Sequence, residues 1–212
     1  MKKKLSKLLS KNFKNNILSG EGGIRSLIML GDGDRDDLVI PIVCHHLNGE
    51  KTVGITKPVN PRIGAISELP VILPLLNVNK IALVMDQEGD ELKQLYKQIE
   101  KKLRKMNIKF KKEVVNRRLM CYFCKLGPRK FELILIISGI DEMPLKTHKI
   151  EDHLLKTLST LSKAEYEGED SKEAWESLGK SAQREVLLKL KDTRKLCLDI
   201  FPQHFLGLRL LE

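Results

Sequence analysis

Ile24-Arg25-Ser26-Leu27-Ile28-Met29-Leu30-Gly31-Asp32-Gly33-Asp34-Arg35-Asp36-Asp37-Leu38-Val39-Ile40 is the stretch on which the fold turns. Ile24 to Leu30 is a strand-sized apolar run, too short for a helix of ordinary length. Gly31 to Asp37 breaks it with glycines and acids. A helical pattern follows at Leu38, Ile42, Val43, His46 and Leu47, and Asn48-Gly49 closes it in the manner of a helix C-terminus. The same order recurs downstream. Lys80 to Met85 reads as a strand and Asp86-Gln87-Glu88-Gly89-Asp90 as an acidic turn. Glu91 to Met106 is then a helix with Leu92, Leu95, Tyr96, Ile99 and Leu103 on one face.

Between these units, Thr52 to Thr56 reads as a strand. Ile63 to Leu76 reads as a helix, and Pro70 and Pro74 predict a kink or break in it. Ile108 to Val115 alternates like a strand, and Arg117 to Arg129 suits a hairpin with a Gly127-Pro128 turn. Phe131 to Ile137 is a strongly apolar strand. Ile150 to Leu161 is helical, Ala164 to Asp170 is a polar acidic loop, and residues 171–200 read as further helix. Strand–helix alternation over residues 24–160 predicts an α/β fold with a mainly parallel sheet flanked by helices. The expected organisation is a basic tail or short amphipathic helix over residues 1–20, the α/β domain over 21–160, and a helical extension over 161–212 packed on the same domain.

Composition narrows the classes. The chain's 212 residues suit one domain or one domain with an appendage, and 42% hydrophobic residues are enough for a core. Only 5% are aromatic, which argues against a sheet that stacks bases on many rings. No apolar run approaches the roughly 20 residues of a membrane span, and Lys7, Lys11 and Lys14 interrupt any signal-peptide core after Met1. A soluble cytoplasmic protein without membrane association is expected. Four irregularly spaced cysteines give no disulfide framework.

The charge is local. Residues 1–14 hold six lysines and no acid. Residues 97–118 hold ten basic residues against Glu100 and Glu113. These segments contribute +6 and +8 of a net +10, which leaves the rest of the chain at −4. Basic stretches on an acidic body suggest a polyanion, DNA or RNA. The candidate contacts are Lys101, Lys102, Arg104, Lys105, Lys109, Lys111, Lys112, Arg117 and Arg118. A solvated helix face is the alternative.

In open α/β sheets, sites gather at the carboxyl ends of the strands. Acids follow two strands here: Asp32, Asp34, Asp36 and Asp37 after the first, and Asp86, Glu88 and Asp90 after the third. Glu151-Asp152 opens the helix after the last strong strand. Any one cluster serves as a helix cap. Three together point to a cation, and oxygen ligands select Mg²⁺, or Mn²⁺ in its place.

Asp32-Gly33-Asp34-Arg35-Asp36-Asp37 after an apolar strand resembles the first motif of Toprim domains, a strand, then Glu-Gly-x-x-Asp, then a helix. Asp86-Gln87-Glu88 after Ile81-Ala82-Leu83-Val84-Met85 resembles their Asp-x-Asp motif. Lys149-Ile150-Glu151-Asp152-His153-Leu154-Leu155 is similar to the Leu-Glu-Asp-hydrophobic segment of small stand-alone Toprim-like proteins. The resemblance covers about residues 24–160. It implies a Toprim-like fold and, with topoisomerase and primase disfavoured for want of their other domains, a Mg²⁺-dependent nuclease or RNA-processing factor. It implies Asp32 as general acid/base, Asp86 and Glu88 as metal ligands, and Asp90 as an extra ligand. The sequence departs from the family in having Asp32 for Glu and Glu88 for Asp. A non-catalytic nucleic-acid-binding or adaptor protein on the same scaffold, with a protein partner, is the alternative.

Other features read as structural. Cys121-Tyr122-Phe123-Cys124 lacks a second pair for zinc and suits buried thiols on a hairpin. One of His45 and His46 should face the core. Gly20-Glu21-Gly22-Gly23 lacks the Lys-Ser/Thr of a P-loop. Trp175 is a core anchor.

Overall fold

The computed structural model describes residues 25–31, 35–47, 53–162 and 169–211. Asp32, the basic N-terminal tail and Gly20-Glu21-Gly22-Gly23 lie outside the described residues.

Strand β1 (Ser26–Leu30) is buried at every position, as a strand covered on both faces must be. Helix α1 (Asp36–Leu47) follows, with Asp36 and Asp37 in its first turn, where negative charge favours the helix dipole. Strand β2 (Val53–Thr56) is short and partly covered. The proline-rich segment breaks just before Pro70, while Pro74 is carried inside the second helix without ending it. A 3-10 helix (Arg62–Glu68) gives way to α2 (Leu69–Leu76), which has Pro70 in its first turn, where a missing N–H costs nothing. Asn77 ends α2 in the left-handed conformation, φ 51°. Strand β3 (Lys80–Asp86) and helix α3 (Leu92–Lys105) complete the third unit.

Strands β4 (Lys109–Asn116), β5 (Leu119–Leu126) and β6 (Arg129–Ser138) form a meander. Both of its turns are two-residue loops with a visible cause. Gly127, at φ 57°, sits first in the β5–β6 turn, where a hairpin of this hand needs glycine. In the β4–β5 turn, the Asn116 side chain accepts the Arg118 N–H at 2.8 Å, an Asx turn.

The sheet order is β2-β1-β3-β6-β5-β4. Strands β2, β1, β3 and β6 are mutually parallel, and β5 runs against β6 and β4. The fold is therefore α/β, with a mixed, mostly parallel six-stranded sheet. On one face, the 3-10 helix, α2 and α3 enclose Met29, Ile66, Leu73, Leu83, Leu95, Ile99 and Leu135. On the other, α1, α4 (Ile150–Ser162) and a C-terminal helical segment enclose Ile28, Ile40, Val84, Ile136 and Leu154. That segment comprises α5 (Ser171–Ser177), α6 (Lys180–Asp192), α7 (Arg194–Ile200) and α8 (Pro202–Arg209). It supplies Trp175, Val186, Leu190, Cys197, Phe201 and Phe205 to the same core. The Ser26 hydroxyl donates to the Leu211 carbonyl at 2.9 Å, tying the end of the chain to β1.

Cys121 and Cys124 lie three residues apart on β5 and so point to opposite faces of the sheet, one into each core. They cannot chelate together. Burial pushes the Cys124 thiol up to about 12. His46 is buried and bonds the Leu190 carbonyl at 2.7 Å, while His45 is exposed. No helix among the described residues is long and apolar enough to cross a membrane.

Candidate active site at the carboxyl edge of the sheet

The carboxyl ends of β1, β3 and β6 meet at one edge because the three strands are adjacent and parallel. Gly31 makes the first crossing possible. Its N–H donates to the Val84 carbonyl at 2.7 Å, and a Cβ there would lie 2.8 Å from that same oxygen. Its own carbonyl accepts the Arg62 N–H at 2.5 Å, which brings the 3-10 helix to the edge.

Asp86 ends β3 opposite Ser138 of β6. It is 5% exposed, and its Oδ1 accepts the Ile150 N–H at 2.8 Å, so the N-terminus of α4 stabilises the carboxylate. Glu88 holds a left-handed backbone, φ 58°, and exchanges two backbone hydrogen bonds with His148, at 2.9 and 3.0 Å. That bridge carries the β6–α4 connection onto the edge and brings Lys149 with it. The Lys149 ammonium lies 3.0 Å from Asp170 and 3.6 Å from Glu88. Burial works against its charge, but Asp170, Glu88 and Glu151 overcome this and hold it above the ordinary lysine range.

Asp90 faces Arg62 instead. The guanidinium donates to its Oδ2 at 2.8 Å and to the Gln87 carbonyl at 3.2 Å. Among the described residues, no group of three or more His, Cys, Asp or Glu side chains converges as metal ligands do.

The two acids of α4 have different tasks. Asp152 is fully buried and accepts from the Ile140 and Lys149 N–H groups, both at 3.2 Å, and pairs with His148 Nδ1 at 3.0 Å. It organises the turn into the helix. Glu151 is 4% exposed and has no comparable set of donors. Burial pushes its carboxyl up, and its own N–H, Arg35, Lys149 and Lys172 offset this in part. A carboxyl held in this way is able to exchange a proton nearer neutrality than an ordinary glutamate. The edge thus combines acids with three cations, Arg35, Arg62 and Lys149. Arg35 and Lys149 stand within the first and third acidic motifs of the sequence, whereas Arg62 has no local pattern to single it out.

The basic stretch does not form one patch. Arg104 and Lys112 both pair with Glu100, at 3.3 and 2.6 Å, and Arg104 also lies over the Phe110 ring, 5.2 Å from its centroid. Arg117 and Arg118 both pair with Asp141. Arg118 is buried and donates to the Ser138 carbonyl at 3.1 Å, so it braces the edge and is withdrawn from any surface ligand. Lys101 and Lys105 are exposed on α3, and Lys102 is half-buried there. Lys109 and Lys111 project from β4 onto the opposite face of the sheet from α3, since they pair in register with Lys125 and Phe123. No family model, curated protein or solved structure matches this chain.

Proposed function

We propose that the chain is a Mg²⁺-dependent enzyme acting on nucleic-acid phosphodiesters at the carboxyl edge of its sheet. The observation that carries this is the pairing of opposite charges in one place. Asp86 and Glu88 leave β3 as oxygen donors, and Lys149 stands 3.6 Å from Glu88 with its charge reinforced. Phosphoryl chemistry needs both signs, acids for the metal and cations for the phosphate.

The donor set suits Mg²⁺, because both side chains offer carboxylate oxygen. The Ile150 N–H, donated to Asp86 Oδ1, fixes this carboxylate at the end of β3. When bound, Mg²⁺ would polarise the phosphoryl oxygens and lower the pKa of attached water. Asp90 is engaged by Arg62, so the proposal rests on Asp86 and Glu88. Lys149 supplies positive charge beside them. Asp32 keeps the proton-transfer place that the Toprim resemblance implies. Lys101 and Lys105, exposed together on α3, would hold a nucleic-acid backbone without reading bases, whereas Lys109 and Lys111 lie on the other face of the sheet.

Asp86→Asn tests this. It should abolish Mg²⁺ binding by calorimetry and Mg²⁺-dependent cleavage of DNA and RNA, while binding in chelator stays within about twofold. Cleavage surviving in the variant would place the chemistry elsewhere.

The second reading, a non-catalytic nucleic-acid-binding or adaptor protein on the same scaffold, has one specific support. Glu88 and Asp90 already have cationic side chains beside them. Absence of metal-dependent cleavage in the parent, with chelator-resistant binding, would favour it.

A further inference from the structure

Cross-strand register places three lysines in one row. Lys109 pairs with Lys125 across β4–β5, and Lys125 pairs with Lys130 across β5–β6. The next row is Lys111, Phe123 and Glu132, and it continues into Lys80 of β3. Residues opposite one another share a face, so one corner of the sheet presents Lys109, Lys111, Lys125 and Lys130 around Phe123, with Glu132 beside them and Glu113 in the next row, while Lys80 donates to the Leu210 carbonyl at 2.8 Å.

Among the described residues, the helices of its own side leave this corner uncovered. Helix α8 crosses β6 close to Ile136 and reaches Leu119 at the start of β5, where a Cβ on Gly207 would meet both side chains. Beyond it, Phe123 is 47% exposed, and Lys109, Lys111, Lys125 and Lys130 are all exposed. On the other face the same strands bury Tyr122, Cys124 and Phe131 completely or nearly so. The contrast lies within single strands and comes from their alternation.

Two ordinary explanations fall short. Lysines protect an edge strand from pairing with other chains, which accounts for Lys109 and Lys111. Strands β5 and β6 are interior to the sheet, so Lys125 and Lys130 need another cause. Solvation alone does not choose like charges for directly opposed positions, where each pair is unfavourable. None of Lys109, Lys111, Lys125 and Lys130 forms an ion pair with a described residue. A row of unneutralised charge maintained at a cost is the complement of a polyanion.

We infer that this bare corner of the β4–β5–β6 face binds single-stranded nucleic acid, with the lysine row on the phosphates and Phe123 stacked on a base. An exposed ring beside lysines is the pairing that single strands use and that a duplex, its bases already stacked, does not. Lys130 lies eight residues before Ser138 along β6, about 26 Å at a strand's rise per residue. The corner is therefore separate from the carboxyl edge, and binding there needs neither Mg²⁺ nor Asp86.

Fluorescence anisotropy with a labelled 20-residue oligothymidylate, in chelator and on the full chain, tests the assignment. Lys125→Gln with Lys130→Gln should weaken binding about tenfold and lower the salt slope by about 1.4, two phosphate contacts on a single strand. Phe123→Ala should weaken it at least about fivefold with the slope unchanged, and Phe123→Tyr should restore it. A duplex of equal charge should not respond to Phe123→Ala. Lys189→Gln with Lys195→Gln, exposed on α6 and α7, removes the same charge and should stay within about twofold. Circular dichroism checks the fold of each variant. The inference is overturned if the α6–α7 variant loses as much as the row variant, if the row variant binds like the parent, or if polyglutamate of equal length competes as well as the oligonucleotide. Because every arm is run in chelator, failure here is distinct from failure of the metal-dependent chemistry.

Discussion

Gly31 and Gly139 show how single residues hold the candidate site. A Cβ on Gly31 would press on the Val84 backbone, and one on Gly139, at φ 124°, would lie 2.6 Å from His148 Cβ and 2.8 Å from the Arg118 guanidinium. The constraint at Gly31 is steric, because a backbone neighbour cannot rotate away. Gly31→Ala should therefore cost about 1–3 kcal/mol, the range of overpacking, or roughly 2–12 °C in Tm for a domain of this size. Gly89 supplies the control: it too lies at the acidic edge, yet a Cβ there meets nothing within 4 Å. Gly89→Ala should leave Tm within about 2 °C. Thermal melts of the two variants check this, and equal shifts would remove Gly31's special role. The glycine was visible in the sequence, but only as a turn. Its contact with Val84 depends on β1 and β3 being neighbours, which no local pattern announces.

At the scale of elements, α4 and α8 carry a buried imidazole pair. The His153 and His204 rings lie 5.1 Å apart, and His153 stacks on Phe201 at 4.7 Å. His153 Nδ1 donates to the Ile200 carbonyl at 2.6 Å, and its Nε2 accepts the Gly139 N–H at 3.2 Å, so the neutral ring joins α4, α7 and the end of β6. Burial pushes His153 down to about 4, against the pull of the Ile200 carbonyl and Asp152, and pushes His204 well below its ordinary value. The folded chain thus keeps both rings neutral, whereas the unfolded chain protonates them near 6.5. The stability they confer is complete above about pH 6.5 and is lost as pH falls toward 4, at up to about 1.4 kcal/mol per pH unit for each ring. Urea midpoints at pH 7, 6 and 5 should fall accordingly. His153→Asn keeps a donor for Ile200 and should about halve the slope between pH 6.5 and 5. Midpoints unchanged from pH 7 to 5 would contradict the assignment. The sequence marks α4 by the spacing of Leu154, Leu155 and Leu158. It gives no sign that His153 meets His204, because the contact depends on how α8 returns across the sheet.

Taken whole, the molecule has one sheet with a core on each face, and the C-terminal helices complete one of the two. Trp175, Val186, Leu190, Phe201, Phe205 and Leu208 are each 3% exposed or less. At about 1.5–3 kcal/mol for each large side chain, their removal costs about as much as the whole 5–15 kcal/mol by which domains are stable. A chain cut after residue 170 should lose its cooperative urea transition and bind hydrophobic dye. A sharp transition in that fragment would make the segment an independent appendage. The sequence by itself determined the α/β class, strands close to the observed Ser26–Leu30 and Lys80–Asp86, a break in the proline-rich segment, and the gathering of acids behind strands. Those features are local: periodicity, proline and glycine act on their own neighbours. Only the tertiary structure decided which charges are free. It set Arg118 against Asp141, Arg62 against Asp90 and Lys112 against Glu100. It also split a continuous basic stretch across two faces of the sheet and aligned Lys109 with Lys125 and Lys130. Charges act through space and register acts across strands, so neither can be read from the order of residues along the chain.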